Sequence, residues 1–79
     1  MEIVEVEWFD AQEETDALTL EEAKRQEPFP VKSVGFLIKK DKKKVIIALS
    51  CFHPDSSKEF FRSVWTIPKG MVKNIRRLQ

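Results

Sequence analysis

The chain has 79 residues, 42% of them apolar and 34% charged, with a formal net charge of +1. That length holds one domain with a small core, and charges that nearly cancel among frequent bulky apolar residues exclude a chain disordered throughout. The balance hides a division: residues 1–30 carry ten acidic and two basic side chains, residues 31–79 twelve basic and three acidic.

Ile3-Val4-Glu5-Val6-Glu7-Trp8 is β-branched and alternating, which predicts a first strand. Phe9 to Thr19 is acidic and aperiodic and reads as a long loop. Thr19-Leu20-Glu21-Glu22 has the spacing of a capping box, with the threonine able to cap the third helical position and Glu22 to reach back. It predicts a short helix over residues 19–26, stopped by Pro28 and Pro30.

Val31 to Lys40 is the second expected strand, with Val34, Phe36 and Ile38 on one face and Gly35 and Leu37 on the other. Lys39-Lys40-Asp41-Lys42-Lys43-Lys44 is a polar tip joining it in a hairpin to a third strand, Val45 to Phe52. That third strand is apolar on both faces, the mark of a strand that is central or packs on a second layer. His53 to Ser57 is a turn, and Lys58 to Ile67 a fourth strand with Phe61, Trp65 and Ile67 inward. Pro68-Lys69-Gly70 breaks the chain before a short fifth strand, Met71 to Leu78. Five short strands with this spacing predict a mainly β fold, a five-stranded small barrel carrying one short helix in the loop after the first strand.

Trp65-Thr66-Ile67-Pro68-Lys69-Gly70-Met71-Val72 resembles the end of an SH3-like barrel, where a fourth strand passes through a proline-containing 3₁₀ turn into a short fifth strand. The chain has no tyrosine, and Met71 stands where the proline-peptide groove of that family has an aromatic residue. The resemblance therefore implies the fold and not that ligand. Ser33-Val34-Gly35-Phe36-Leu37-Ile38, Val45-Ile46-Ile47-Ala48 and Ile67-Pro68-Lys69-Gly70 also look like small uncharacterised open reading frames of bacteriophages and prophages, which implies an accessory protein.

Candidate chemistry is sparse. Cys51 and His53 are two residues apart on one strand face, but a nucleophile needs a base and an orienting group converging on it, and a core thiol beside a turn histidine is the plainer account. One cysteine and one histidine do not fill a zinc site. The acidic stretch Asp10, Glu13, Glu14, Asp16 lacks EF-hand spacing, and Gly35 and Gly70 form no phosphate cradle. No enzymatic activity, cofactor or metal is expected. A single cysteine, an acidic alternating start and no long apolar run lead to the expectation of a soluble cytoplasmic protein without a membrane partner.

Two surfaces remain as candidates. Trp8, Phe9 and Trp65, with the acidic loop, are the expected contacts to a protein partner or a second copy, since so small a chain gains stability by self-association. Lys39, Lys40, Lys42, Lys43 and Lys44 at the hairpin tip and Lys69, Lys73, Arg76 and Arg77 on the last strand are the alternative, a surface for the phosphates of nucleic acid.

Overall fold

A computed structural model describes residues 1–52 and 58–78. The turn expected at 53–57, with His53 and Asp55, lies outside the described residues. The elements are β1 (Ile3–Asp10), α1 (Leu20–Lys24), β2 (Phe29–Lys40), β3 (Lys44–Phe52), β4 (Phe60–Pro68), the 3₁₀ turn η1 (Lys69–Met71) and β5 (Val72–Arg77). All strands join one antiparallel sheet in the order β4-β3-β2-β1-β5. The expected strand order along the chain is therefore observed. β1 runs two residues further than its alternation indicates, because Phe9 and Asp10 pair with Pro30 and Phe29.

The sheet bends within β2. Its first part, Phe29 to Phe36, pairs with β1, and its last part, from Phe36 on, pairs with β3. Phe36 is paired on both sides, and the Leu37 amide still donates to the Glu2 carbonyl at 2.9 Å. Two features make the bend. Ile38 is an extra residue in the ladder between Leu37 and Lys39, a bulge that increases local twist. At Gly35 the β3 backbone comes so close that an added Cβ would stand 2.6 Å from the Ala48 carbonyl oxygen.

The bend folds one half of the sheet over the other. Val4, Val6 and Trp8 of β1, Val45 and Ile47 of β3 and Ile67 of β4 form one buried cluster, with Val31, Leu37, Val72 and Ile75 packed against it. The rings of Trp8 and Trp65 lie 6.2 Å apart although β1 and β4 are three strand positions apart. In a flat sheet three spacings would separate them by about 14 Å. The curling stops short of closure: β4 and β5 end the strand order and are not paired with each other. The expected closed barrel is thus an open, curled sheet. η1 spans part of the gap instead, touching β1 and β3, with the Lys69 amide donating to the Lys43 carbonyl at 2.9 Å.

The predicted helix is present, one turn and a residue long. Thr19 Oγ1 accepts from the Glu22 amide and the Glu22 carboxylate accepts from the Thr19 amide, completing the capping box. No residue of α1 is buried. The molecule is elongated, 58 × 22 × 21 Å, with a radius of gyration of 16.5 Å. A compact chain of this length would measure about 12 Å.

Candidate functional site

The three aromatic candidates do different things. Trp8 is 7% exposed; it is a core residue whose indole Nε1 donates to Ser33 Oγ at 3.0 Å. Its tilted ring supports Trp65, which stands half exposed on the curled side of β4. Phe9 lies on the opposite face of β1 from Trp8 and borders an open cleft of about 310 Å³ with Asp10, Ala11, Pro28, Gly70 and Met71.

The β3–β4 hairpin beyond Trp65 carries a surface that the sequence reading missed, most of it on the opposite face from that ring. β3 leaves β2 after Ala48, and from Leu49 onward it is paired only with β4, through Ser50–Arg62, Cys51–Phe61 and Phe52–Phe60. On this outer half of the hairpin and the β4 stretch leading from it, Leu49, Phe52, Phe60, Val64 and Trp65 are each between 40% and 52% exposed. Phe52 and Phe60 stack at 5.8 Å, and the Arg62 guanidinium lies 5.5 Å from the centre of the Phe52 ring. The available signal was the pair of aromatics, Phe52 and Phe60, on either side of residues 53–59; they are cross-strand partners. Of the side chains expected inward on β4, Ile67 is buried, Phe61 half-buried and Trp65 half exposed. Ser63 interrupts the strand with φ 56°, a left-handed conformation that costs a non-glycine residue about 1 kcal/mol.

The basic candidates fall into two groups. At the hairpin tip, Asp41 organises the turn: its carboxylate accepts from the Lys43 and Lys44 amides at 2.8 and 2.9 Å and pairs with Lys39 at 3.7 Å. Those backbone donors hold its carboxyl below the usual range. The other side chains, Lys40, Lys42, Lys43 and Lys44, have no ion pair among the described residues, and the Lys69–Lys43 backbone bond adds Lys69 to the same end. Lys73 is the unpaired residue where β5 shifts register against β1, and it shares a small cleft with Lys32 and Glu7.

Arg76 and Arg77 are engaged. Arg76 Nε and Nη2 donate to the two carboxylate oxygens of Glu5 at 3.1 and 3.5 Å, and Arg77 makes the same forked contact with Glu2 at 3.2 Å on both arms. The Arg76 hydrogen bond holds the Glu5 carboxyl below its ordinary value. The acidic β1 therefore neutralises the basic β5 within one chain. Together with Lys39–Asp41 these are ion pairs between described residues.

Cys51 donates to a Glu59 carboxylate oxygen at 3.6 Å. Burial first, and then the Glu59 contact, push its thiol up, the reverse of what activates a nucleophile. Among the described residues no group of three or more His, Cys, Asp or Glu is placed to hold a metal ion, and no helix is long and apolar enough to cross a membrane. No family model, curated protein or solved structure matches the chain.

Proposed function

We propose that this chain is a small non-enzymatic interaction module that self-associates through the outer half of its β3–β4 hairpin. The observation that carries this is the uncovered apolar surface on the outer ribbon, which is paired with no other strand: Phe52, Phe60 and Val64 are half exposed on one face, and Leu49 and Trp65 are half exposed on the other. A two-stranded ribbon is marginal in water without a hydrophobic cover. Its own sheet supplies none, and the elongated shape shows how little of the chain folds back on itself. A second copy is the occupant that fits, because an isologous contact places the same aromatic patch against itself about a two-fold axis. The stacked Phe52 and Phe60 are the anchors. In fold, the chain is read as an SH3-like small barrel left open at its edges; the passage from β4 through Pro68 and η1 into β5 supports this. The resemblance to phage and prophage reading frames supports an accessory, cytoplasmic role.

Sedimentation equilibrium at high salt tests the association. The 9.3-kDa chain is expected at twice its mass, and Phe52→Ser with Phe60→Ser is expected at one. A wild-type monomer at high micromolar concentration would refute it.

The alternative is nucleic-acid binding through lysine and arginine clusters. The forked Glu5 and Glu2 contacts leave Arg76 and Arg77 less available, so its support rests on the hairpin-tip lysines and Lys69. Binding to labelled single-stranded DNA, duplex DNA or RNA with a steep log–log salt slope would favour it over the apolar contact.

A further inference from the structure

We infer that the end of the molecule around η1 is a second, electrostatically self-complementary face that pairs with the same face of another copy. Three observations carry this. The first is opposite charge side by side. The loop between β1 and β2 has seven carboxylates from Asp10 to Glu27 and only Lys24 and Arg25 against them. The hairpin tip with Lys69 has six lysines and only Asp41 against them. η1 is three residues long and borders both: Gly70 and Met71 line the cleft with Asp10, Ala11 and Pro28, while the Lys69 amide binds the Lys43 carbonyl.

The second is that the two charged lobes do not satisfy each other within the chain. Every residue from Ala11 to Pro30 is exposed, and among the described residues no ion pair joins loop to tip. The contrast with β1 and β5, whose opposite charges meet in two forked pairs, is direct.

The third is that the loop is ordered by its own bonds. Gln12 Nε2 donates across the loop to the Glu27 carbonyl at 2.9 Å, and the capping box holds α1 although α1 buries nothing. Leu20 is 70% exposed on it. A lobe shaped in advance loses little conformational freedom when it docks.

Between the lobes lie the exposed side chains of Phe9 and Met71, which line one cleft with Ala11 and Pro28. A two-fold axis through that apolar strip sets each acidic loop over the other copy's lysines, so the loop–lysine contact forms twice around an apolar centre. This face is separate from the aromatic hairpin contact and differs from it in response to salt. Its attraction is carried by exposed charges, whose screening length falls from about 30 Å at 0.01 M salt to about 3 Å at 1 M.

The test is sedimentation velocity of the whole chain across that salt range, with two charge-reversed variants. One is Lys42→Glu with Lys43→Glu; the other is Glu13→Lys with Asp16→Lys. Both leave the Asp41 turn and the capping box in place. The wild type is expected to at least double its mass when salt is lowered. Each variant alone is expected not to, and an equimolar mixture of the two is expected to recover the larger species. With the hairpin contact intact the step starts from the dimer and runs to a tetramer where the two axes close, or to longer assemblies where they do not. If the hairpin contact fails, the same step runs from monomer to dimer, so the two contacts are judged separately. A wild-type mass independent of salt, variants that assemble alone, or a mixture that does not recover would each overturn the inference. So would a salt-independent mass together with DNA binding that is lost in Lys42→Glu with Lys43→Glu, which would make the lysine end a phosphate surface.

Discussion

The two glycines of this chain should respond to the same substitution with opposite sign. At Gly35 an alanine Cβ would stand 2.6 Å from the Ala48 carbonyl oxygen and 3.2 Å from its carbon, both backbone atoms of a central strand. No flexible side chain can swing aside, so β2 and β3 must separate where the sheet turns. Overpacking of this kind costs roughly 1–3 kcal/mol. The reduced freedom of the unfolded alanine chain returns about 0.4–1 kcal/mol. The net loss is about 1–2 kcal/mol, and at about 4–8 °C per kcal/mol for a domain of this size, the melting temperature should fall by roughly 5–15 °C. At Gly70 nothing lies within 4 Å of the added Cβ, and the residue's φ is not positive. There only the unfolded-state term acts, and Gly70→Ala should raise the melting temperature by a few degrees. Thermal melts followed by circular dichroism at fixed concentration measure both. A Gly35→Ala protein that melts at or above the wild type would show that β2 and β3 do not approach this closely, and the account of the bend would be wrong.

Three further outcomes follow from the same geometry. Ile47→Ala empties the fully buried centre of β3 and should cost about 2–5 kcal/mol in urea unfolding, with little change in the slope. Ser63→Gly relieves the left-handed backbone at φ 56° and should shift the urea midpoint upward, by up to about 1 kcal/mol; a downward shift would refute the strain. The Glu5, Glu22 and Asp41 carboxyls are all held below their ordinary values, by Arg76, by Thr19 and by the Lys43 and Lys44 amides respectively. Their stabilisation is complete above the ordinary carboxylate range near pH 4 and is lost as pH falls through it. Melting temperature should therefore drop on acidification below that range, and Glu5→Gln should flatten part of the drop.

The features legible in the sequence were those fixed by neighbours along the chain. Thr19 and Glu22 are three residues apart, so their mutual capping needs no distant partner. Alternation in Ile3 to Trp8 placed Val4, Val6 and Trp8 on one face, and that face is the core. What was not legible depends on where a neighbouring strand ends. Val45 to Phe52 is apolar on both faces and was expected to be central or packed on a second layer throughout, yet β2 covers it only as far as Ala48. Leu49 and Phe52 have the sequence character of core and the position of surface. The extra residue at Ile38 was equally hidden, since a bulge changes the ladder without changing composition. Closure of a barrel is a property of two edges distant in sequence, and here β4 and β5 do not meet.

Charge shows the same division between local pattern and distant pairing. The acidic start and basic end of the chain are evident by counting, but counting does not say which charges meet. Antiparallel pairing of β1 with β5 sets Glu5 opposite Arg76 and brings Glu2 beside Arg77. That register pairs both arginines with carboxylates and leaves most lysines of the tip and the carboxylates of the loop without an ion pair to each other at one end. The near-zero net charge is thus two populations with different consequences. The Glu2–Arg77 pair is a screened, exposed contact worth little to stability, and Arg77→Ala should move the melting temperature by no more than a degree or two. The unpaired populations at the η1 end act between molecules. Changing them should leave the melting of the isolated chain almost untouched and alter its association, which a paired comparison of thermal melts and sedimentation in the same salt series resolves.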